Sequence, residues 1–564
     1  MRLKPLTTLL AVLMLLTPVT PAMAVQTGSP TDRGSITVNN VQGGSTVTAY
    51  KIIDVNYTNE GTDAARSYVP TDPQYSWDPD VEDFVRGGYP KYIGDDNRVM
   101  DGFTKLASDL RGEPKPDGSS SSDLAEFMDR LSNQVGNEKV ELTAAKTVNV
   151  DGTADATSVV LDGLRVGGYL VKVTNQGGNT EGNGPGVVTD YIYRPMFTTI
   201  GFQSDDAGAW SVSSPKIAAK RDKATVDKTV NEQDNDGHNS GKDQKDTGSD
   251  MVGVGDVVTY NIRTDVPVFP LDAISKDYRI SDRMDPALTP NYRNQDDNRF
   301  LIYGVDENGQ ETQIGDGTAG NGTYYHLVTA NAEDFDQNPQ TWAMDFQYET
   351  IRRFKKIHVI YTATVNSNAI PGQPIYNDTK LQYTNNPYDE DTYRTVPDRV
   401  KVYVTGLKVR KSFEGMTGKP AEGAAIFTLK RKNSTDPIRF VKTASGSYRP
   451  AMTGETGGTS LPIDEDGLIH VTGLKAGDYI LDEVKTPAGW LPAHDLPVTL
   501  TMLKEGEDYN GHLDKETQPG VVTVDVENKR ILALLPSSGS QAILLLIPPL
   551  LIILLGVLLV RRRS

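Results

Sequence analysis

The sequence predicts an all-β protein of three tandem β-sandwich domains, the first carrying a helical insertion. Three observations predict it. Apolar and polar residues alternate along most of the chain, the period of a strand with one buried face. The alternating runs are short and are separated by turns rich in Gly, Asn, Asp and Pro, with 52 Gly and 33 Pro in all. The length, 564 residues, exceeds what one hydrophobic core organises and requires several domains.

In chain order, Met1-Arg2-Leu3-Lys4 sets cations ahead of an apolar run at 9–16, and Ala22-Met23-Ala24 follows. That order is the layout of a secretory signal peptide over residues 1–24. Strand alternation begins at 35–53 and resumes at 157–161, 169–173 and 191–200. Between these runs Phe103, Leu106 and Leu110 recur at helical spacing, as do Leu124, Phe127, Met128 and Leu131 behind the polar cap 119–122. Together they make a first domain, 25–215, with an inserted helical part. The glycine-rich stretch 177–186 leads into strands, so it is no phosphate cradle. A second β domain spans 216–402 and contains the polar stretch 231–250, read as an exposed loop. A third spans 403–534. The end, 535–564, runs Leu535-Pro536-Ser537-Ser538-Gly539, an apolar span at 542–560 long enough to cross a bilayer, and Arg561-Arg562-Arg563-Ser564.

The net charge of −18 disfavours nucleic acid and anionic lipid surfaces as partners. Removing both ends takes away five cations and no anion, leaving a still more acidic product. There is no Cys, so an exported chain of this size has neither disulfides nor a thiol nucleophile. Its six His show no paired spacing for a metal, and no GxSxG elbow is present. The sequence therefore predicts no cofactor, no metal site and no enzyme. Another device must hold such a chain together outside the cell.

Strand parity suggests the device, because residues two apart share a face. In the third domain Lys411 follows Leu407 and Val409, Asn528 follows Val522, Val524 and Val526, and Glu483 follows Tyr479 and Leu481. A lone buried charge is costly, so three such residues at apolar positions of one core are expected to meet. An apolar site favours a neutral, nucleophilic lysine and a protonated acid. The amine attacks the Asn carboxamide, Glu483 polarises it and shuttles protons, and ammonia leaves, giving a Lys411–Asn528 isopeptide bond. The second domain repeats the pattern: Lys228 lies between Val226 and Val230, and Asp282 between Ile280 and Met284. The run Ile375, Asn377, Thr379, Leu381, Tyr383, Asn385 offers two asparagines of the right parity. Asn377 is favoured as partner and Asn385 is the alternate.

These residues together resemble the sortase-assembled pilins of Gram-positive bacteria, above all their backbone (major) subunits. The stretch 479–490, YILDEVKTPAGW, is similar to the E-box of that family with Glu483 in the glutamate position. The segment Gly423-Ala424-Ala425-Ile426-Phe427-Thr428-Leu429 is similar to the collagen-adhesin B-type immunoglobulin-like module. The second domain resembles the middle pilin domain in which an Asp assists the Lys–Asn bond. Trp210-Ser211-Val212-Ser213-Ser214-Pro215-Lys216 resembles the pilin motif, whose lysine accepts the next subunit, and Lys220 is a nearby rival. Leu535-Pro536-Ser537-Ser538-Gly539 resembles the cell-wall sorting signal, with Ser538 where Thr is usual.

The resemblance implies three tandem immunoglobulin-like domains of collagen-adhesin type and a chain that is itself the substrate. A pilin-type sortase would attack the Ser538 carbonyl, release Gly539 and the membrane tail, and hold the chain as a thioester. Lys216 of another copy would resolve it, giving a head-to-tail fibre in which tension runs from Lys216 to Ser538 of each subunit. The implied partners are further copies of the chain, pilin-type and housekeeping sortases, peptidoglycan, and tip or basal minor pilins. The implied location is the cell surface, as a wall-anchored pilus after transient membrane retention. A monomeric wall-anchored adhesin is the alternative and differs in not needing Lys216.

Overall fold

The computed structural model describes residues 32–60, 67–108, 123–136, 139–175, 190–204, 210–230, 251–271, 273–291, 300–315, 320–321, 323–390, 392–501 and 519–531. The expected signal peptide, the stretches 177–186 and 231–250, the motif 535–539 and the apolar span 542–560 lie outside them. Among the described residues no helix is long and apolar enough to cross a membrane. The chain divides into two compact units. The first runs to residue 402 apart from 251–255 and 369–373, and the second holds those two segments and the chain from 403 on.

The N-terminal part of the first unit is built on two facing sheets. One orders Ser67–Trp77, Ser45–Glu60, Gly167–Asn175 and Met196–Ile200, with Ala144–Asn149 also paired to the second of these. The other orders Lys216–Ala218, Arg33–Val41 and Thr157–Arg165. Alternation puts Ile36 and Val38 of the first strand, Val47 and Ala49, Leu161, Tyr169 and Val171, and Ile217 into the shared core. Three α-helices, α1 (Pro79–Gly88), α2 (Asp101–Ser108) and α3 (Asp123–Gly136), lie between Trp77 and Ala144. Asp78 caps α1 by accepting from the Asp80 N–H, and Pro79 sits at its first position. The apolar stripes of these helices form a second core of Trp77, Val81, Val85, Phe103, Phe127 and Leu131.

Pairing with the N-terminal sheets continues past residue 215. Lys216–Ala218 pairs in parallel with the first strand, and Arg221–Asp222 pairs with Ile192–Tyr193, so these sheets extend to Asp222. Ile217 and Ala219 are buried in the N-terminal core, which ties the segment to what precedes it.

The middle part has its own two sheets. One orders Val226–Val230, Val257–Asp265, Lys356–Val365, Leu301–Val305 and Glu311–Gly315. The opposing one contains Trp342–Phe346, Tyr278–Met284, Ile375–Tyr383 and Arg394–Val402 in that order. In the second unit Phe440–Lys442, Tyr448–Pro450, Leu468–Leu474, Thr405–Phe413 and Val521–Asn528 form a sheet in that order. It faces Leu461–Pro462, Ile426–Arg431, Gly477–Lys485 and Leu496–Leu500. Its first long strand and its last run parallel, in register from Gly406 opposite Val521 to Phe413 opposite Asn528. The core between these two sheets includes Leu407, Val409, Phe427, Leu429, Val471, Tyr479 and Leu481.

Candidate functional site

In the middle domain alternation buries Lys228 between Val226 and Val230 on one sheet. The opposing sheet buries Asp282 and Asn377 on neighbouring strands, where Asn377 stands opposite Met284, two residues along from Asp282. The side chains of Lys228 and Asp282 are wholly shielded from solvent, and Asn377 is equally buried. The Lys228 Nζ donates to Asp282 Oδ2 in a short contact. Tyr361, from the lysine's own sheet, donates its hydroxyl to the same carboxylate oxygen at 2.7 Å and accepts from Asn377 Nδ2 at 3.0 Å. A continuous hydrogen-bonded chain therefore runs Lys228, Asp282, Tyr361, Asn377. Around it stand Tyr260, Phe300 and Trp342, whose ring centroids lie 5.0–5.5 Å from one another or from Tyr361.

These walls set the electrostatics. Burial pushes the Lys228 amine below the ordinary lysine range, although Asp282 pushes it back. Burial also raises the Asp282 carboxyl, opposed by Lys228 and Tyr361. Both shifts favour the uncharged forms, a free amine beside a protonated acid, because a dry aromatic box solvates neither ion. Asp398 accepts from the backbone N–H of Lys228 at 2.6 Å and so fixes the lysine strand at this residue. The alternate asparagine is not at the site: Asn385 lies beyond the end of its strand, where its carbonyl accepts from Asn175.

In the second unit Lys411 and Asn528 lie on the parallel, adjacent first and last strands, and Glu483 is on the facing sheet. All three are buried. Glu483 Oε1 accepts from Asn528 Nδ2 at 2.8 Å, and Oε2 accepts from the Ala493 N–H at 2.9 Å. The same Asn528 nitrogen donates to Thr486 Oγ1 at 2.7 Å. Lys411 donates to the carbonyls of Ser412 and Val526 and lies 4.3 Å from the centre of the Phe413 ring. Desolvation lowers its amine to about 8, against the pull of Glu483 and Glu527. The two clusters thus differ in contact: in the middle domain the acid holds the lysine, and here it holds the asparagine.

Lys216 is exposed on its short strand, beside Thr37 of the first strand, and Val160 on the far side of Thr37 is 52% exposed. Lys220 is exposed as well, with its carbonyl accepting from the Arg194 N–H. Leu535, Pro536, Ser537, Ser538 and Gly539 lie outside the described residues. Among the described residues no group of three His, Cys, Asp or Glu is placed to hold a metal ion.

Sequence reasoning missed Tyr361, Thr486 and Asp398. Asp398 carried the parity signal, a charge among Val396, Val400 and Val402. Tyr361 reads as an ordinary core aromatic, and Thr486 lies just past the end of its strand, where parity says nothing.

No family model matches the sequence, and no curated protein matches it. Among solved structures the chain is similar to the T6 backbone pilin of serotype M6 Streptococcus pyogenes, described as a modular three-domain structure. The TM-score is 0.54 at 15% identity, over 90% of this chain and 100% of that one. It also aligns with the full-length major pilin SpaD of Corynebacterium diphtheriae, with a TM-score of 0.44 at 15% identity over 88% of this chain and 97% of that one. At this identity the likeness to T6 is one of fold: the chain folds as a three-domain backbone pilin folds, in tandem β-sandwiches.

Proposed function

We propose that this chain is the shaft subunit of a covalent cell-surface pilus, polymerised by a sortase through Lys216 and Ser538 and stapled internally by Lys228–Asn377 and Lys411–Asn528 isopeptide bonds. The observation that carries the reading is the buried chain Lys228, Asp282, Tyr361, Asn377, with its counterpart around Glu483 and Asn528. A dry site holding a lysine, an acid and a carboxamide is costly to keep as ions and is arranged for amide exchange. The T6 fold likeness supports a structural subunit. The exposure of Lys216 supports its use as the acceptor amine, since a sortase cleft must reach it. The proposed partners are other copies of the chain, sortases, peptidoglycan and minor pilins, and the proposed location is the cell wall.

Two measurements test the two halves. The mature protein should weigh about 34 Da less than its sequence, roughly 17 Da for each ammonia lost, and an intact mass equal to the sequence rejects both bonds. Wall extracts should show a ladder of high-mass species that collapses to monomer in Lys216→Arg, because a guanidinium keeps the charge and loses the nucleophile. A single band from the unaltered protein points instead to a monomeric adhesin. An undiminished ladder from a Lys216→Arg/Lys220→Arg variant removes this segment as the acceptor.

A further inference from the structure

Asp282 and Asn377 share no hydrogen bond. Asp282 Oδ2 is occupied by Lys228 and Tyr361, while Asp282 Oδ1 and Asn377 Oδ1 are buried without partners. An acid that does not touch the carboxamide cannot itself deliver a proton to the departing nitrogen. The Tyr361 hydroxyl touches both. We infer that Tyr361 is the proton relay of the middle site, taking a proton from Asp282 and passing its own to the nitrogen that leaves Asn377. The inference rests on the isopeptide reading above and adds a residue to it.

The steps balance. Lys228 as free amine bonds to Asn377 Cγ. As the Cγ–Nδ2 bond breaks, the Tyr361 proton moves to Nδ2, and the Asp282 carboxyl proton replaces it on the phenol. The carboxylate then takes the surplus proton from the new amide nitrogen. One C–N bond forms, one breaks, ammonia leaves, and acid and phenol end as they began. Burial raises the Tyr361 hydroxyl well above the usual tyrosine range, so it stays protonated and works by passing protons, not as a phenolate. The second unit supplies an internal contrast. Glutamate is one methylene longer, and Glu483 contacts the Asn528 nitrogen directly, so the Thr486 hydroxyl beside it is not needed for transfer.

The test uses the whole mature chain, with intact mass and peptide mapping followed over time after synthesis. Tyr361→Phe keeps the ring against Tyr260, Phe300 and Trp342 and removes only the hydroxyl. It should lack the middle bond at first and form it on the order of 100-fold more slowly, the usual worth of a positioned proton donor. The Lys411–Asn528 bond of the same chain, whose acid reaches its carboxamide directly, should form at the unaltered rate. Tyr361→Phe/Asp282→Glu should regain the middle bond, because the longer acid reaches the carboxamide itself. A folded Tyr361→Phe chain that forms both bonds at the normal rate, or a double variant no faster than the single one, overturns the relay. Unaltered protein without the middle bond instead overturns the isopeptide reading there, a distinct outcome. Should Tyr361→Phe not fold, 3-fluorotyrosine in the natural sequence keeps the shape and makes the phenol more acidic. The relay then requires faster middle-bond formation with the C-terminal rate unchanged, and equal rates reject it.

Discussion

Asp398 shows how one carboxylate can hold a site and cost stability together. It is 4% exposed and accepts from two backbone N–H groups, those of Lys228 at 2.6 Å and Arg399 at 2.8 Å. Burial pushes it up to about 6, and the two N–H bonds only partly offset that. An unfolded Asp titrates near 4, so between roughly pH 4 and 6 the folded state keeps a proton that the unfolded state has lost. Its stabilising contribution is therefore full below about pH 4 and is lost as pH rises through about 6. Over that window the effect is on the order of 2 to 3 kcal/mol. Urea denaturation at a series of pH values should show Asp398→Asn with a flatter fall in stability between pH 4 and 6 than the unaltered protein. Identical slopes would mean that Asp398 does not titrate there.

At the scale of elements, the parallel pairing of Thr405–Phe413 with Val521–Asn528 matters most in the second unit, because it lays the first long strand against the last. A Lys411–Asn528 bond closes a loop of more than a hundred residues, which on the chain-entropy argument removes about 4 to 5 kcal/mol of unfolded-state freedom. Glu483→Ala should restore one ammonia to the mass and lower the thermal midpoint of this unit by ten degrees or more, on the scale of about 4 to 8 °C per kcal/mol for small domains. A normal mass from this variant would show that the bond forms without the acid. Much of this was legible in sequence, because Lys228, Asp282, Asn377, Lys411, Glu483 and Asn528 all occupy apolar positions of alternating strands, and alternation fixes which face a side chain takes. What was not legible depends on long-range pairing. Nothing local marks Lys216–Ala218 as a strand parallel to residues 37–39. Nor does periodicity show that α3 reaches beyond its own domain, where Asp129 accepts from the Leu271 N–H.

For the whole molecule, the consequence of the proposed bonds is which residues can carry force. In a fibre joined through Lys216 and Ser538, tension enters ten residues before the strand Val226–Val230 and crosses from Lys228 to Asn377. The segment 229–376 is then bypassed, and only 216–227 and 378–402 remain of the middle domain in the loaded path. In the second unit tension crosses from Lys411 to Asn528, so 412–527 is bypassed almost completely. Pulling on single molecules between residue 216 and the C-terminal end should therefore give no extension from the middle domain longer than roughly 13 nm, the reach of about 37 residues at about 3.5 Å each. The second unit should give almost none. In Glu483→Ala the bypassed segment returns to the path, and a new event of roughly 40 nm should appear by the same measure. Long events in the unaltered protein would mean that the load does not pass through these bonds, even if mass spectrometry finds them.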